Sequence, residues 1–212
     1  MNIQILTEKT NYWHQEYNHE LVNRMEKLGH HVEVIHSKNA LAQGDIAFFL
    51  GCFELVDVES LKLHDNNIVV HSSDLPQGKG WSPLTWQILE GKNTIPMTLF
   101  EADESCDGGL VYIKDEIKLN GTELIDEIRH FDAQKCIEMC VRFVKNRDAL
   151  VGKKQSGAES YYSRRYPQDS ELDIHKSIDE QFNLLRVVDN ERYPAFFIKN
   201  GVKYILKIEK YK

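Results

Sequence analysis

Residues 69–83 read VVHSSDLPQGKGWSP, and the fold turns on how this stretch is understood. Ile68, Val69 and Val70 form a β-branched apolar run of the kind that fills a buried strand. The run ends on His71 and breaks at once into a Ser-Ser-Asp-Leu-Pro turn and a Gly-Lys-Gly-Trp loop. Open α/β sheets hold ligands where their strands give out. His71 therefore stands at a position suited to chemistry.

Working outward, strand and helix signals alternate. Residues 2–6 (NIQIL) make a short apolar run. Leu21, Met25 and Leu28 then recur at helical spacing until Gly29 stops the pattern. HVEVIH (31–36) alternates as a strand, and DIAFFL (45–50) is continuous enough to be covered on both faces. A short helix over 58–63 leads into the strand 67–71. Beyond the loop, Leu84, Ile88 and Leu89 give a helix that opens at Pro83 and ends at Gly91. Strands follow at 96–100 and 109–117, joined by the acidic connection EADESCDG, and a long amphipathic helix runs over about 121–146. The expected class is α/β, a Rossmann-like doubly wound, mostly parallel sheet.

The polar stretch GKKQSGAES reads as a linker near residue 150. It divides a catalytic domain, 1–150, from an extension, 151–212, with a helix over 177–188 and a β-hairpin over 195–208 around Asn200-Gly201. The extension has too few apolar positions to fold alone. Its hairpin needs cover from the main domain or from a second copy, so a homodimer is expected.

Composition narrows the function classes. No apolar stretch approaches the roughly 20 residues of a membrane helix, and MNIQILTEKT lacks the pattern of a secretory signal. The cytoplasm is the expected compartment, with no membrane partner. Cys52, Cys106, Cys136 and Cys140 show neither a disulfide framework nor a CxxC pair, and the histidines form no HExxH set, so no metal site is expected. Residues 1–150 carry 14 basic against 24 acidic side chains, and 151–212 carry 12 against 9. A main domain at −10 repels a polyanion, which counts against nucleic acid as a partner.

Asp107, in CDGG, is the natural companion of His71. Its turn follows the strand 96–100, and in such a sheet it can stand at the edge where His71 emerges. A carboxylate beside an imidazole stabilises the imidazolium and selects the tautomer, which makes a general base for an amine nucleophile.

These residues resemble a known family. HSSDLPQGKGWSP, with the aspartate of CDGG 36 positions after His71, is similar to the His-x-Ser-Leu-Leu-Pro and Leu-Asp-Gly-Gly signatures of N10-formyltetrahydrofolate-dependent formyltransferases. The tail YYSRRYPQDSELDIHKSIDEQFNLLRVVDNERYPAFF (161–197) is similar to segments of the branch that formylates amino sugars attached to nucleoside diphosphates. The resemblance implies a folate donor, N10-formyltetrahydrofolate, an amino-sugar nucleotide as acceptor, and catalysis by His71 and Asp107. It implies a pterin pocket walled by Phe49, Leu50, Gly51, Cys52 and Phe53, with Leu75, Glu101, Asp103 and Cys106. Gly51 lets backbone approach a flat heterocycle, although Phe48 and Phe49 also read as core. For the acceptor it implies Lys79, Gly80, Trp81, Arg164, Arg165, Tyr193 and Phe196, since arginines grip pyrophosphate and aromatic faces stack on a base. Gly78-Lys79-Gly80 lacks the spacing of a Walker loop.

One position departs from the family pattern. The family carries an Asn two residues before the histidine, where its amide stabilises the tetrahedral oxyanion, and this chain has Val69. Asn67 shares the strand parity of Val69 and His71 and is the candidate stand-in, displaced by roughly 7 Å along the strand. The alternatives are a methionyl-tRNA formyltransferase, disfavoured by charge and length, and a retired folate- or nucleotide-binding protein, disfavoured by the presence of both His71 and Asp107.

Overall fold

The structure is a computed structural model and describes residues 1–8, 12–52 and 56–211. In chain order the elements are β1 (Asn2–Leu6), α1 (Tyr12–Glu26), β2 (His31–Ile35), β3 (Gly44–Phe49), α2 (Val58–Leu61), β4 (His64–His71), β5 (Lys79–Gly80) and α3 (Pro83–Leu89). They continue with β6 (Thr94–Glu101), β7 (Val111–Lys118), α4 (Ile125–Asn146), β8 (Tyr161–Tyr162), α5 (Phe182–Val187), β9 (Ala195–Lys199) and β10 (Val202–Leu206).

Six strands make one mixed sheet in the order β2-β1-β3-β4-β6-β7. β2, β1, β3 and β4 are mutually parallel, whereas β6 and β7 each run antiparallel to their neighbour. The α/β class expected from the sequence is therefore observed.

The two faces of the sheet are dressed differently. Ile3, Ile5, Ile46, Phe48, Ile68, Met97 and Leu99 face Leu21 and Met25 of α1 and Ile128, Ile137, Cys140 and Phe143 of α4, all in one apolar cluster. Each such side chain contributes about 1.5–3 kcal/mol when taken out of water. The opposite face carries a smaller cluster, Leu6, Ile35, Ala47 and Phe49, with Cys52, Val56, Leu61, Val69 and Ala102 packed on it. Among the described residues, only the single turn of α2 contributes helix to that cluster. Because side chains alternate along β4, Val69 and His71 share this lightly covered face.

The extension is docked rather than tethered. Arg186, 1% exposed, pairs with Glu123 at 3.2 Å and also donates to the side chains of Asn93 and Asn183. Leu172, Leu185, Val188 and Ala195 form its own small core. The hairpin follows the expected register, with Asn200 and Gly201 both at positive φ between Lys199 and Val202. The helix expected over 177–188 is reduced to α5 behind one 3-10 turn, Asp179–Gln181.

The linker expected near residue 150 needs correction. Lys153 bridges to Val111 in both directions, and Tyr161 and Tyr162 of β8 pair with Lys79 and Gly80 of β5. Residues 153–163 thus form a strap fastened to the two loops that carry His71 and Asp107.

Candidate active site

β4 ends at His71 because the chain turns there, with the Ser73 N–H returning to the His71 carbonyl at 2.9 Å. The following loop folds back and sets the Gly78 carbonyl 2.9 Å from His71 Nε2. A carbonyl only accepts, so Nε2 carries the hydrogen and Nδ1 is the bare nitrogen of the neutral ring. Asp107 approaches from the loop after β6, its Oδ2 3.9 Å from Nε2, with both side chains largely enclosed at 17% and 11% exposure. That separation is too long for a hydrogen bond and short enough for a strong charge interaction.

Asp107 is held in an uncommon conformation, φ +52, and its carboxylate accepts the Gly80 N–H at 2.9 Å. Space around the glycines that follow is tight, against a rotatable hydroxyl at Gly108 and against fixed backbone at Gly109. A Cβ on Gly108 would lie 2.0 Å from Ser105 Oγ, and one on Gly109 would lie 1.8 Å from the Glu101 carbonyl. Gly80 has the same constraint, at φ +91 with Tyr162 O 2.6 Å from its missing Cβ. The GKG sequence is thus a flat landing strip for β8 rather than a phosphate cradle.

The donor-side residues divide. Phe49, Cys52, Val69 and Ala102 form an apolar floor on the face of His71, and Gly51 beside it has φ +61. Leu50 is buried in the main core on the other face, and Leu75 is buried beneath the His71 loop. Asp103 and Cys106 are exposed on the Asp107 loop, where Asp103 binds Ser105 and the Cys106 thiol lies 3.6 Å from Asp107 Oδ2. Phe53 lies outside the described residues.

Two expected residues are not brought to His71. Glu101 projects to the α4 face, where its carboxylate accepts from Asn66 and Tyr112, each at 3.0 Å, and from the Asn67 backbone. Burial pushes the Glu101 carboxyl up, and burial with Glu101 beside it pushes the Tyr112 hydroxyl up to about 12. Asn67 lies four residues back along β4, about 13 Å at the strand rise. Its amide donates to the Leu61 carbonyl at 2.8 Å, so it does not replace the amide missing at Val69.

On the acceptor side, Lys79 is buried and binds Glu159 at 2.7 Å, a bond that raises its pKa against the opposing effect of burial. Arg164 stacks on Trp81 at 4.9 Å and lies 5.9 Å from Tyr166. Arg165 lies over Trp86, donates to the Asp169 carbonyl, and keeps one buried nitrogen, Nη1, without a partner. Tyr193 and Phe196 do not join this group. Phe196 is buried with Lys203 Nζ 3.5 Å above its ring, and Tyr193 is exposed on the turn to Asp189.

Sequence reasoning missed four residues. Ser72, beside His71, donates to Asp132 of α4 at 2.5 Å, and burial pushes the Asp132 carboxyl up to about 6. Gln155 and Ser160, on the strap, bind the backbone of both loops. Neither lies in an apolar period or a motif. The one usable signal was the paired glycines of GKG and DGG, which imply something pressed flat against them. A separate groove of about 650 Å³, lined by Arg24, Asp115, Phe131, Lys135 and Glu138, lies beside α1, α4 and β7, away from the His71 face.

No protein-family model matches the chain. Several solved structures share its fold. A methionyl-tRNA formyltransferase from Clostridium thermocellum superposes with a TM-score of 0.84 at 22% identity, over 100% of this chain and 94% of that one. A sugar N-formyltransferase from Shewanella sp matches at 0.71 and 14% identity, over 100% and 99%. HypX from Aquifex aeolicus, in complex with tetrahydrofolic acid, matches at 0.77 and 14%, over 97% of this chain and 37% of that one.

Proposed function

We propose that the chain is an N-formyltransferase that moves the formyl group of N10-formyltetrahydrofolate to the amine of a nucleotide-linked amino sugar. One observation carries the reading: His71 and Asp107, 36 positions apart in sequence, meet at 3.9 Å on the open face of a fold shared with solved formyltransferases. His71 Nδ1 takes the proton of the attacking amine, and Asp107 stabilises the imidazolium that results. The amine nitrogen bonds to the formyl carbon, the bond from that carbon to the folate nitrogen breaks, and the imidazolium returns the proton to the departing nitrogen. The apolar floor of Phe49, Cys52, Val69 and Ala102 suits a flat heterocycle, and the bound tetrahydrofolic acid of HypX supports a folate donor. Trp81, Arg164 and Tyr166 offer the aromatic and cationic faces that a nucleotide needs.

A second reading, formylation of methionyl-tRNA, is favoured by the high TM-score of the Clostridium structure. The net charge of −7 opposes it. The exposed Ile198, Val202, Tyr204 and Ile205 of the hairpin support a homodimer, and no described helix is long and apolar enough to cross a membrane. The test supplies N10-formyltetrahydrofolate with a panel of nucleotide-linked amino sugars, or with charged initiator tRNA, and follows tetrahydrofolate release. Release with a sugar nucleotide is expected. Release with tRNA alone would replace the first reading by the second, and release with neither would end both.

A further inference from the structure

The strap touches both halves of the His71–Asp107 pair through different residues. Gln155 Nε2 donates to the Asp107 carbonyl at 2.8 Å and to the Gly109 carbonyl at 3.0 Å, closing a clamp across the Asp-Gly-Gly turn. These acceptors fix which end of the amide faces the turn. Asp107 sits at positive φ, a conformation that persists only where surrounding contacts over-determine it, and the clamp supplies such contacts. On the other loop, Ser160 Oγ accepts the Gly78 N–H at 2.8 Å, and the Ser160 carbonyl accepts the Lys79 N–H at 2.9 Å. Gly78 is the residue whose carbonyl holds His71 Nε2. The Gly80 N–H, between β8 and the Asp107 carboxylate, closes the circuit.

We infer that Gln155 and Ser160 are positioning residues for the proposed reaction, Gln155 acting through Asp107 and Ser160 through Gly78 on His71. The inference rests on the formyltransferase reading for its kinetic consequence and on geometry alone for its structural one. In this inference the strap acts on neither substrate nor proton directly. It sets the separation and the tautomer that the pair needs.

The experiment uses the full chain with Gln155→Leu and Ser160→Ala, each alone and Gln155→Leu also with Asp107→Asn. Leucine keeps the volume of the glutamine and removes both donors. Gln155→Leu is expected to lower kcat by about 100-fold, the scale of a displacement of about 1 Å at a catalytic group, while KM for donor and acceptor changes by less than about threefold. In the Asp107→Asn background it should add less than about twofold, because the carboxylate it positions is already gone. Amide hydrogen exchange supplies a readout independent of turnover. The Gly80 amide should lose protection in Gln155→Leu while Ile5 and Phe48, in the sheet, keep theirs. Ser160→Ala should lower kcat by about tenfold and deprotect Gly78. Unchanged kcat in Gln155→Leu, or a full additive loss on top of Asp107→Asn, overturns the inference. Unchanged Gly80 protection overturns it even if no acceptor is ever formylated, whereas lost Gly80 protection in Gln155→Leu beside a wild-type chain that transfers nothing refutes only the reaction.

Discussion

Replacing Asp107 by Asn removes a charge and little else. Asparagine Oδ1 can still accept the Gly80 N–H that Asp107 accepts at 2.9 Å, so the loop keeps its bond and its shape. The charge that disappears stands 3.9 Å from His71 Nε2. At that distance opposite unit charges attract by about 4 kcal/mol with an effective dielectric near 20. The pair is 11% and 17% exposed, which leaves modest screening, and a working range is about 2–4 kcal/mol. In the proposed mechanism the interaction strengthens as the imidazole takes the proton of the amine, so its loss falls on the transition state more than on binding. Each 1.36 kcal/mol is tenfold in rate, and kcat/KM is expected to fall about 30- to 1000-fold. The assay is tetrahydrofolate release under saturating donor, with thermal unfolding alongside to show an intact fold. Asp107→Asn within about threefold of wild type would refute the electrostatic role of the carboxylate.

Other expected outcomes concern stability. Arg186→Met removes one partner of a buried ion pair whose Glu123 keeps the N–H groups of Asn120 and Gly121, so a loss of about 3 kcal/mol, the low end for such deletions, should appear in urea unfolding. Asp132 is pushed up to about 6 by burial, against an ordinary value near 4, so folding disfavours its charged form. Stability falls as pH rises from about 4 through 6, and Asp132→Asn should gain about 1–2 kcal/mol at pH 7.5 and almost nothing at pH 4, by urea titration at the two values. His64 is buried with both ring nitrogens unpartnered, and burial lowers its pKa despite Asp45 and Asp65 nearby. The folded state disfavours its charged form, so stability is present above the unfolded value of about 6.5 and is lost as pH falls below it; His64→Gln should shrink the loss measured between about pH 7 and pH 5.5.

The sheet was legible wherever side chains obeyed a period. DIAFFL and the β-branched run before His71 gave β3 and the second half of β4, and Asn200-Gly201 gave the hairpin. The first part of β4, His64 to Asn66, was invisible because it is polar, although parallel pairing to Gly44 and Ile46 makes it strand. Asp107 could be placed from its turn chemistry. Glu101 could not, because one residue of strand parity decides which face a carboxylate takes, and it takes the far one. The strap was misread for a different reason. Its bonds run from backbone and short polar side chains to another backbone, and such contacts leave no mark in hydropathy.

The absence of an amide at Val69 constrains the proposed chemistry. The amides around the pair are engaged: Asn67 with the Leu61 carbonyl, Gln87 with those of Ser72 and Pro83, and Gln155 with those of Asp107 and Gly109. Gln87 and Gln155 thus have both amide hydrogens engaged, and the Asn67 amide is turned to α2. The Gly78 carbonyl keeps one hydrogen on Nε2, so in the proposed reaction a proton captured from the amine resides on Nδ1. In the proposed reaction the protonated His71 is one group able to serve the oxyanion, beside a backbone N–H or a water. Such a role makes the orientation of the ring critical, and the strap, which binds the backbone of both loops, is placed to hold it.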